Sequence, residues 1–515
     1  MKNKTIEILD CTLRDGGYYT NWDFSNQLVE KYMVAMQSLP VDILEIGYRS
    51  TPQKDYLGKY FYFPDFAIDH INNMNQNKRL ALMFNEKITL PKDLDKMLNG
   101  LENKISIIRL AVNPANFERA LVLGEAIRKR GFNITFNLMY MSKYYQDKSF
   151  LSKLNQLNGL VEYLNVVDSF GGMLPKQVKE LVENVKASCT EKVGFHGHDN
   201  MELAFANTLA AIDAGCNIVD GTIMGMGRGA GNLKTELLLT YMASNGIVDF
   251  DFNVLSGIIE DWTPIHEKYE WGTNLPYMVS GANSLPQSDV MEWVTQRFYS
   301  FNSIIRALNN QKRGEQDNIR LPVFKPAESF NNVVVIGGGP NAVLHADAIK
   351  AFIAKLDNVC VVHASSKNAK SYEDVECKQL YCLVGNEGHR LESVFNDFKS
   401  FKGKCILPSF PRKMGTYLPD VIKNMSFELA EVNFTDKYKD AHTTLAMQSA
   451  LDLNAKNIYI AGYDGYDSQF ITAKERSLIS ENEYIFQKAT ERVNLFSITS
   501  THYSIKTESV YSIIS

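Results

Sequence analysis

Short apolar segments alternate with amphipathic helical stretches along the first 245 residues of the chain. Each segment has the length of a buried strand, and the stretches between them carry apolar residues near helical spacing. Strands that alternate with helices pair in parallel through right-handed crossovers. Eight such units favour a closed (β/α)8 TIM barrel, with an open doubly wound sheet as the alternative. The eight predicted strands are residues 6–11, 42–46, 80–84, 105–110, 133–137, 163–167, 193–196 and 218–221.

After residue 245 the pattern changes and divides the rest of the chain in two. Residues 246–325 lack the strand rhythm, carry helical stretches and aromatic bulk, and end in a polar segment typical of a linker. Residues 326–515 return to strands that alternate with helices. We therefore expect an α/β protein with a TIM barrel over 1–245, a helical extension over 246–325 and a Rossmann-like α/β domain over 326–515.

Composition and charge narrow the class of protein. Of the 515 residues, 45% are hydrophobic and 22% charged, which is the balance of a globular chain. A net charge of −5 gives no electrostatic attraction to nucleic acid. No apolar run approaches the ~20 residues that span a bilayer, and no signal core follows the N-terminus. The seven scattered cysteines are typical of free thiols, so a cytoplasmic protein is expected.

Polar residues that can bind a metal ion are grouped where the predicted barrel strands end. His196 and His198 are spaced i, i+2, so both imidazoles point to the same side of one strand. Asp15 follows the first strand, which a closed barrel brings near the seventh. Two nitrogens and one carboxylate suit Mn²⁺, Mg²⁺, Co²⁺ or Zn²⁺. The alternative is one packed and one surface histidine.

Arg14 and Glu45 add a fixed cation to this predicted site. Beside a metal, the Arg14 guanidinium would stabilise a developing enolate oxygen, and Glu45 would hold it in a bidentate pair. The alternative is a structural ion pair at the barrel mouth. Cys11 is expected to be a core thiol that points away from the site.

These motifs resemble the DRE-TIM metallolyase superfamily, which includes 4-hydroxy-2-oxovalerate aldolases and hydroxymethylglutaryl-CoA lyases. The resemblance implies that Asp15, His196 and His198 bind a divalent metal, with Asn232 at the place of an additional ligand. It implies that Arg14 stabilises the enolate with support from Glu45. It also places Ser169, beside Asp168, against the carboxylate of a keto acid.

The residue that transfers the proton is less clear from the sequence. Tyr18 stands where related enzymes have glutamine or histidine, and a phenol with a pKa near ~10 is a poor base. Tyr277 is a second candidate acid or base, with an ordinary packed aromatic as the alternative. The glycine-rich segment 225–232 is interpreted as a lid over the substrate or as a turn, and Arg228 within it as a contact for an anion.

A second candidate site lies in the C-terminal domain. Gly337, Gly338 and Gly339 follow a strand and precede a helix that contains Asn341, which is typical of a phosphate-binding turn or of a simple tight turn. Asp464 follows a later strand, as a ligand contact or as a helix cap. The two segments resemble bacterial sialyltransferase-like and 6-hydroxymethylpterin-diphosphokinase-like domains. The resemblance implies that these five residues border a nucleotide-binding pocket.

The sequence thus predicts a metal-dependent aldolase or lyase that acts through a pyruvate-type enolate, with a 2-keto acid and an aldehyde as substrates. The resemblance of the C-terminal domain implies a nucleotide-sugar and a role in surface-polysaccharide synthesis. A homodimer through residues 246–325 is a further hypothesis. Two alternatives stay open: a Claisen-type acyltransferase that uses acetyl-CoA, and a non-catalytic barrel that scaffolds a glycosyltransferase-like domain.

Overall fold

Two compact units, Met1–Met291 and Glu292–Ser515, make up the computed structural model of the chain. The structure describes residues 6–514 except 55, 296–300, 315–318, 397, 400, 413–415 and 467–472. The boundary between the units falls inside the segment 246–325, so the helices of this segment are divided between them.

Eight parallel strands close into a barrel in the first unit, as predicted. Each strand pairs with the next along the chain, and the first pairs with the eighth, so the open-sheet alternative is wrong. The strands are β1 Glu7–Asp10, β2 Ile43–Tyr48, β3 Arg79–Asn85, β4 Ile107–Val112, β5 Asn133–Leu138, β6 Tyr163–Asp168, β7 Lys192–Gly197 and β8 Ile218–Gly221.

Helices cover the outside of the barrel because each has one apolar face. In Pro175–Ser188, proline begins the helix and the buried residues recur at helical spacing at Val178, Leu181, Val182 and Val185. The α-helices of this unit are Thr12–Asp15, Gly17–Thr20, Asn26–Ser38, Lys59–Tyr62, Asp65–Met74, Leu94–Leu98, Phe117–Arg128, Lys148–Leu151, Pro175–Ser188, Ala204–Asp213, Thr235–Ser244, Phe252–Tyr269 and Leu275–Ala282, followed by Gln287–Thr295 at the boundary. Short 3₁₀ turns occupy Pro91–Asp93, Pro114–Asn116, Met141–Lys143, Ser152–Leu157 and Ile223–Gly225.

Inside the barrel, the alternation of each strand stacks side chains in layers. One layer is apolar and consists of the buried cluster Leu9, Cys11, Ile43, Ala81, Ile107, Tyr163 and Ile218. Two residues further along their strands, Glu45, Arg109 and Asp220 form a charged layer, each at most 1% exposed. Cys11 is therefore a buried core thiol, as expected, and it lies inside the barrel. Asp10 points to the helices instead, where Tyr32 and Thr235 donate to its carboxylate.

The second unit contains one parallel sheet of eight strands. They are β9 Asn332–Ile336, β10 Val359–His363, β11 Lys378–Cys382, β12 Lys404–Leu407, β13 Ser426–Glu428, β14 Asn457–Ala461, β15 Asn494–Ser497 and β16 Lys506–Thr507. The strand order is β13-β12-β11-β10-β9-β14-β15-β16, so the chain adds strands toward one edge of the sheet up to β13 and toward the other edge from β14 on. Doubly wound sheets bind ligands at the point where this order reverses, which here lies between β9 and β14. This confirms a second α/β domain.

The second unit has helices between its strands. They are Phe301–Arg313, Asn341–Leu344, Ala346–Lys355, Glu387–Phe395, His442–Asp452, Ala473–Thr490 and Val510–Ile514, with 3₁₀ turns at Ser366–Tyr372 and Asp420–Met425. In the described parts of both units, no helix combines the length and the apolar character needed to cross a membrane.

Candidate metal centre and active site

His196 and His198 stand side by side at the end of β7, with their ring centroids 5.0 Å apart. The Nδ1 atom of His196 lies 3.0 Å from Asp220 Oδ2, and that of His198 lies 2.9 Å from the carbonyl oxygen of Asp168. Both contacts are to oxygen acceptors, so in the neutral ring the proton sits on Nδ1 and Nε2 is the nitrogen that can bind a metal. Burial lowers the pKa of His198 to about 3, which keeps this ring neutral at ordinary pH.

Asp15 comes from the short helix Thr12–Asp15 that follows β1, and it faces the two histidines. Its Oδ2 lies 3.5 Å from His196 Nε2 and accepts a hydrogen bond of 2.5 Å from Asn232 Nδ2. Burial raises the pKa of Asp15, but Arg14 and the histidines outweigh burial, so the pKa lies below its ordinary value. The Oδ1 atom of the buried Asn232 has no partner among the described residues.

These residues fit a divalent cation. Asp15, His196 and His198 offer ligand atoms that all lie within 4.8 Å of one another, and Asn232 contacts Asp15 through its Nδ2 atom. A set of nitrogen and oxygen donors without thiolate suits Mn²⁺, Mg²⁺, Co²⁺ or Zn²⁺. The geometry of these three residues therefore fits a divalent-metal site.

A second group, Cys11 with His196 and Asp220, also lies within ligand distance. Burial raises the pKa of the Cys11 thiol well above its ordinary value, which opposes the thiolate that a metal requires. Asp220 is already engaged by Arg109 through a contact of 2.5 Å between Oδ2 and Nη2. The first group is the better candidate, since its two histidine rings and Asp15 also line a cavity at this end of the barrel.

Buried ion pairs connect the Arg14 guanidinium to the metal-facing histidine. Arg14 Nε donates to Glu45 Oε2 at 2.7 Å, and Arg109 Nη1 lies 3.0 Å from the same oxygen. Arg109 then contacts Asp220, which contacts His196. Burial raises the pKa of Asp220, but Arg109 and His196 outweigh burial and lower it to about 2. The network therefore stays charged and holds both Arg14 and His196 in place.

One cavity of about 440 Å³ opens beside these residues at the carboxyl ends of the strands. It brings together six of the predicted site residues: Arg14, Asp15, Tyr18, Ser169, His196 and His198. Arg228 of the glycine-rich segment also lines it, with its guanidinium carbon 5.4 Å from the centre of the Tyr18 ring. Glu45 and Asn232 do not line the cavity but contact residues that do.

Phenols and a hydroxyl complete the polar wall of the cavity. The hydroxyl oxygens of Tyr18 and Tyr48 are 3.3 Å apart. Burial raises the pKa of Tyr48 well above its ordinary value, so this phenol stays protonated. Ser169 Oγ accepts from the backbone N–H of Tyr140 at 2.8 Å, which leaves its own proton free for an acceptor in the cavity.

Asp168 and Tyr277, two further predicted site residues, do not line this cavity. Asp168 is fully buried, burial raises its pKa to about 6, and its carboxylate accepts from the N–H of Met173 at 3.0 Å. Its carbonyl oxygen orients His198. Tyr277 is 2% exposed, and burial raises its pKa to about 12.

Known proteins are similar to the barrel part of this chain. A sequence profile described as HMGL-like matches residues 115–258. A 4-hydroxy-2-oxovalerate aldolase of Carboxydothermus hydrogenoformans is 31% identical over 47% of this chain and 72% of its own length. The chain belongs to the HMGL-like family. The oxaloacetate decarboxylase of Mycobacterium tuberculosis is 28% identical over 47% of this chain and 73% of its own length.

The crystal structure of the N-terminal domain of a candidate aldolase from Bacteroides vulgatus is 53% identical to this HMGL-like chain. It superimposes with a TM-score of 0.56 over 59% of this chain and all of that one. The family assignment supports carbon–carbon lyase activity for the barrel. It also supports the need for a divalent metal in that activity.

Three residues of this HMGL-like site belong to no motif in the sequence: Tyr48, Arg109 and Asp220. Arg109 and Asp220 sit inside apolar strand segments, two residues after an apolar residue that faces the barrel interior. A charged residue in phase with the inward positions of a buried strand is the signal that would have found them.

In the second unit, the predicted glycine turn lies at the reversal between β9 and β14. The N–H groups of Gly337 and Gly339 donate to Ala461 and Gly462 at 2.8 Å each. Asp464 Oδ2 accepts from the N–H of Asn341 at 3.0 Å. Asp464 thus caps the backbone of the segment after the turn. This is the helix-cap interpretation of Asp464. A Cβ on Gly338 would meet nothing closer than Ser365, at 3.9 Å.

Proposed function

We propose that the barrel is a divalent-metal-dependent aldolase or lyase that makes or breaks a carbon–carbon bond through the enolate of a 2-keto acid such as pyruvate. One observation carries the proposal: Asp15, His196 and His198 converge on a cavity that Arg14 also lines. The relatives named as 4-hydroxy-2-oxovalerate aldolase and oxaloacetate decarboxylase support the same class of chemistry.

Asp15, His196, His198 and Asn232 would hold the metal ion. When bound, such an ion supplies a Lewis acid that polarises the keto oxygen of the substrate. Asp220 and the carbonyl oxygen of Asp168 hold the two histidine rings through Nδ1, so that each Nε2 would be the atom that binds the ion. Such partners of metal ligands keep the ring orientation and the tautomer fixed.

Arg14 and Ser169 bind the keto acid. The hydrogen bonds of Arg14 to Glu45 and Asp15 use Nε and Nη1, so Nη2 is available to the oxygen on which negative charge develops. A guanidinium held by two carboxylates does not have to reorganise during the reaction. Ser169 keeps its hydroxyl proton for the substrate carboxylate, because its oxygen accepts from Tyr140.

Tyr18 moves the proton in this proposal, because its phenol lines the cavity and Tyr277 does not. In the synthetic direction, the methyl carbon of the keto acid loses a proton and bonds to the carbonyl carbon of the aldehyde. The aldehyde oxygen gains a proton and becomes the 4-hydroxyl group. Tyr48, protonated and 3.3 Å from Tyr18, shares that proton through a hydrogen bond.

Exchange of the methyl protons of pyruvate in D₂O, followed by NMR, tests the enolate step without an aldehyde. We expect exchange that requires Mn²⁺ or Mg²⁺ and falls by about 10²-fold or more in Arg14→Ala. Arg79→Ala is the matched control, since Arg79 pairs with Glu162 and does not line the cavity. Exchange of acetyl-CoA but not of pyruvate would favour the Claisen-type acyltransferase. Unchanged activity in His196→Ala would favour the scaffold.

For the second unit, we propose binding of a nucleotide-linked or phosphorylated sugar near Gly338. The reversal of strand order between β9 and β14 supports this place, because open parallel sheets bind ligands there. The Lys367 Nζ atom, 3.0 Å from the Gly338 carbonyl oxygen, adds a cation beside the turn. Titration with nucleoside diphosphates and Lys367→Ala tests the proposal, and an unchanged affinity in the variant would oppose it.

A further inference from the structure

Two cationic side chains in the wall of the barrel cavity, Arg228 and Lys87, have no acidic partner among the described residues. Arg228 is half-buried and Lys87 is exposed, so a molecule in the cavity can reach both. Arg14, which lines the same cavity, differs because it pairs with two carboxylates. Cations that stay unpaired in the wall of a substrate cavity indicate that the substrate supplies the anion.

The carboxylates that line this cavity, Asp15 and Glu86, cannot serve the two free cations because both are already engaged. Asp15 pairs with Arg14, and Glu86 pairs with Arg119, which stands behind the cavity wall. A bound divalent metal adds further positive charge beside Asp15. The charge of one keto-acid carboxylate is then too small to balance the cations of the cavity.

The position of Arg228 is fixed by its neighbours in the glycine-rich segment. Its carbonyl oxygen accepts from the N–H of Gly231 at 3.2 Å, and the Tyr19 hydroxyl donates to the carbonyl oxygen of Gly229 at 2.7 Å. The guanidinium carbon of Arg228 lies 5.4 Å from the centre of the Tyr18 ring. A guanidinium that packs on an aromatic ring keeps its N–H edges for hydrogen bonds, so Arg228 can still donate to an anion.

The two free cations flank the residue that is proposed to move the proton. In the ring order β8-β1-β2-β3, Arg228 follows β8, Tyr18 follows β1, Tyr48 ends β2 and Lys87 follows β3. The hydroxyl oxygens of Tyr18 and Tyr48 are 3.3 Å apart, between the two cations in this order. An aldehyde whose carbonyl oxygen meets Tyr18 therefore has a cation on each side.

We propose, on the basis of the proposed aldolase function, that the aldehyde carries an anionic group, a carboxylate or a phosphate, which Arg228 binds with support from Lys87. The planar guanidinium can bind two oxygens of either anion at once, and the ammonium adds a second positive charge. The keto acid keeps its own contacts at Arg14 and Ser169. A neutral aldehyde would leave Arg228 without a counter-ion beside the bound substrate.

The test compares aldehydes that differ in one anionic group: 4-oxobutanoate with butanal, and glyceraldehyde 3-phosphate with glyceraldehyde. With pyruvate and Mn²⁺, we expect kcat/KM for the anionic member of at least one pair to exceed that for its neutral partner about tenfold or more. The pair with the larger ratio identifies the anion as a carboxylate or a phosphate. The measurement uses the unaltered chain, so it does not depend on the folding of a variant.

Arg228→Met removes the charge and keeps the length of the side chain. It should reduce the preference for the anionic aldehyde about tenfold, and Arg228→Lys should reduce it less, because the charge stays while the bidentate geometry is lost. Lys87→Met should cause a smaller reduction than Arg228→Met, since an exposed ammonium is screened by solvent.

Lys143→Met is the matched control. Lys143 Nζ lies 4.7 Å from the centre of the Phe170 ring, so it is also a cation on an aromatic ring, but it does not line the cavity. Its loss should leave the aldehyde preference as in the wild type. A loss in Lys143→Met as large as that in Arg228→Met would mean that the general charge of this region acts, and not a contact of Arg228.

The two proposals fail in different ways. Absence of pyruvate exchange with metal bound would overturn the enolate function itself. Exchange without preference for either anionic aldehyde, or with no turnover of any of the four, would overturn only the selection of an anionic aldehyde. A preference that survives both Arg228→Met and Lys87→Met would overturn the role of these cations. A rise in the KM of pyruvate exchange in Arg228→Met that equals the loss with the aldehyde would assign Arg228 to the keto acid instead.

Discussion

His196 and Asp220 form a buried contact of 3.0 Å between Nδ1 and Oδ2 on neighbouring strands of the barrel. The same Oδ2 atom of Asp220 also contacts Arg109. Asp220 therefore links the metal-facing histidine to the charged layer inside the barrel. The same layer reaches Arg14 through Glu45. The predicted metal site and the predicted enolate cation are therefore parts of one network.

Asp220→Asn should weaken metal binding about 10–100-fold, since loss of the charged partner of a histidine ligand reduces its basicity and orientation. Calorimetric titration with Mn²⁺ measures this directly, without substrate. Asp147→Asn is the control, because Asp147 caps the remote helix Lys148–Leu151. Equal affinity in the wild type and Asp220→Asn would show that His196 does not need this partner.

Glu45→Gln should destabilise the barrel by about 3–5 kcal/mol, because two buried guanidinium groups then lose the carboxylate that they share. Glu45 is fully buried between Arg14 and Arg109. Glu162→Gln breaks the partly exposed pair with Arg79 and should cost at most about 1 kcal/mol. Denaturant unfolding of both variants gives the comparison. A loss in Glu45→Gln as small as that in Glu162→Gln would contradict the network.

Gly231→Ala should disturb the glycine-rich segment that carries Asn232. Gly231 has φ of +89°, and a Cβ there would lie 2.1 Å from the carbonyl oxygen of Gly225. Gly246 has φ of +66° with open space around it, so Gly246→Ala tests the backbone strain alone. We expect pyruvate exchange to fall at least about tenfold in Gly231→Ala and to stay near the wild-type rate in Gly246→Ala. Similar exchange rates in the two variants would mean that the glycine-rich segment tolerates an added Cβ at position 231.

The stability of the second unit should fall as the pH drops from about 6.5 to about 4. Burial lowers the pKa of His363 to about 4, so the unfolded chain binds a proton in this range before the folded one does. Because the folded pKa is depressed, the lost stability approaches about 3 kcal/mol at pH 4. His363 stacks on Tyr381 with the ring centroids 4.5 Å apart.

Thermal unfolding between pH 4 and pH 7 measures this effect. His363→Leu should flatten the pH dependence relative to the wild type. His389→Leu, at a histidine side chain that is 50% exposed, should not change it. A wild-type slope preserved in His363→Leu would assign the pH dependence to other groups.

The sequence by itself determined the barrel, the second parallel sheet and the candidate ligands at the strand ends. Periodicity carries this information because the alternation of a strand and the apolar stripe of a helix are local properties. The spacing of His196 and His198 fixes their common side for the same reason. The family resemblance gave the class of chemistry, and the comparisons with known proteins support it.

Only the tertiary structure decided which side chains meet. Arg109 and Asp220 are 111 residues apart, and nothing in either local pattern says that they pair inside the barrel. Asn137 and Gln287 both line the cavity although they come from a strand and a late helix. Tyr277 is a predicted acid or base, yet it is buried outside the cavity. The physical reason is that buried charges and amides must find partners, and closure of the barrel chooses those partners from distant parts of the chain.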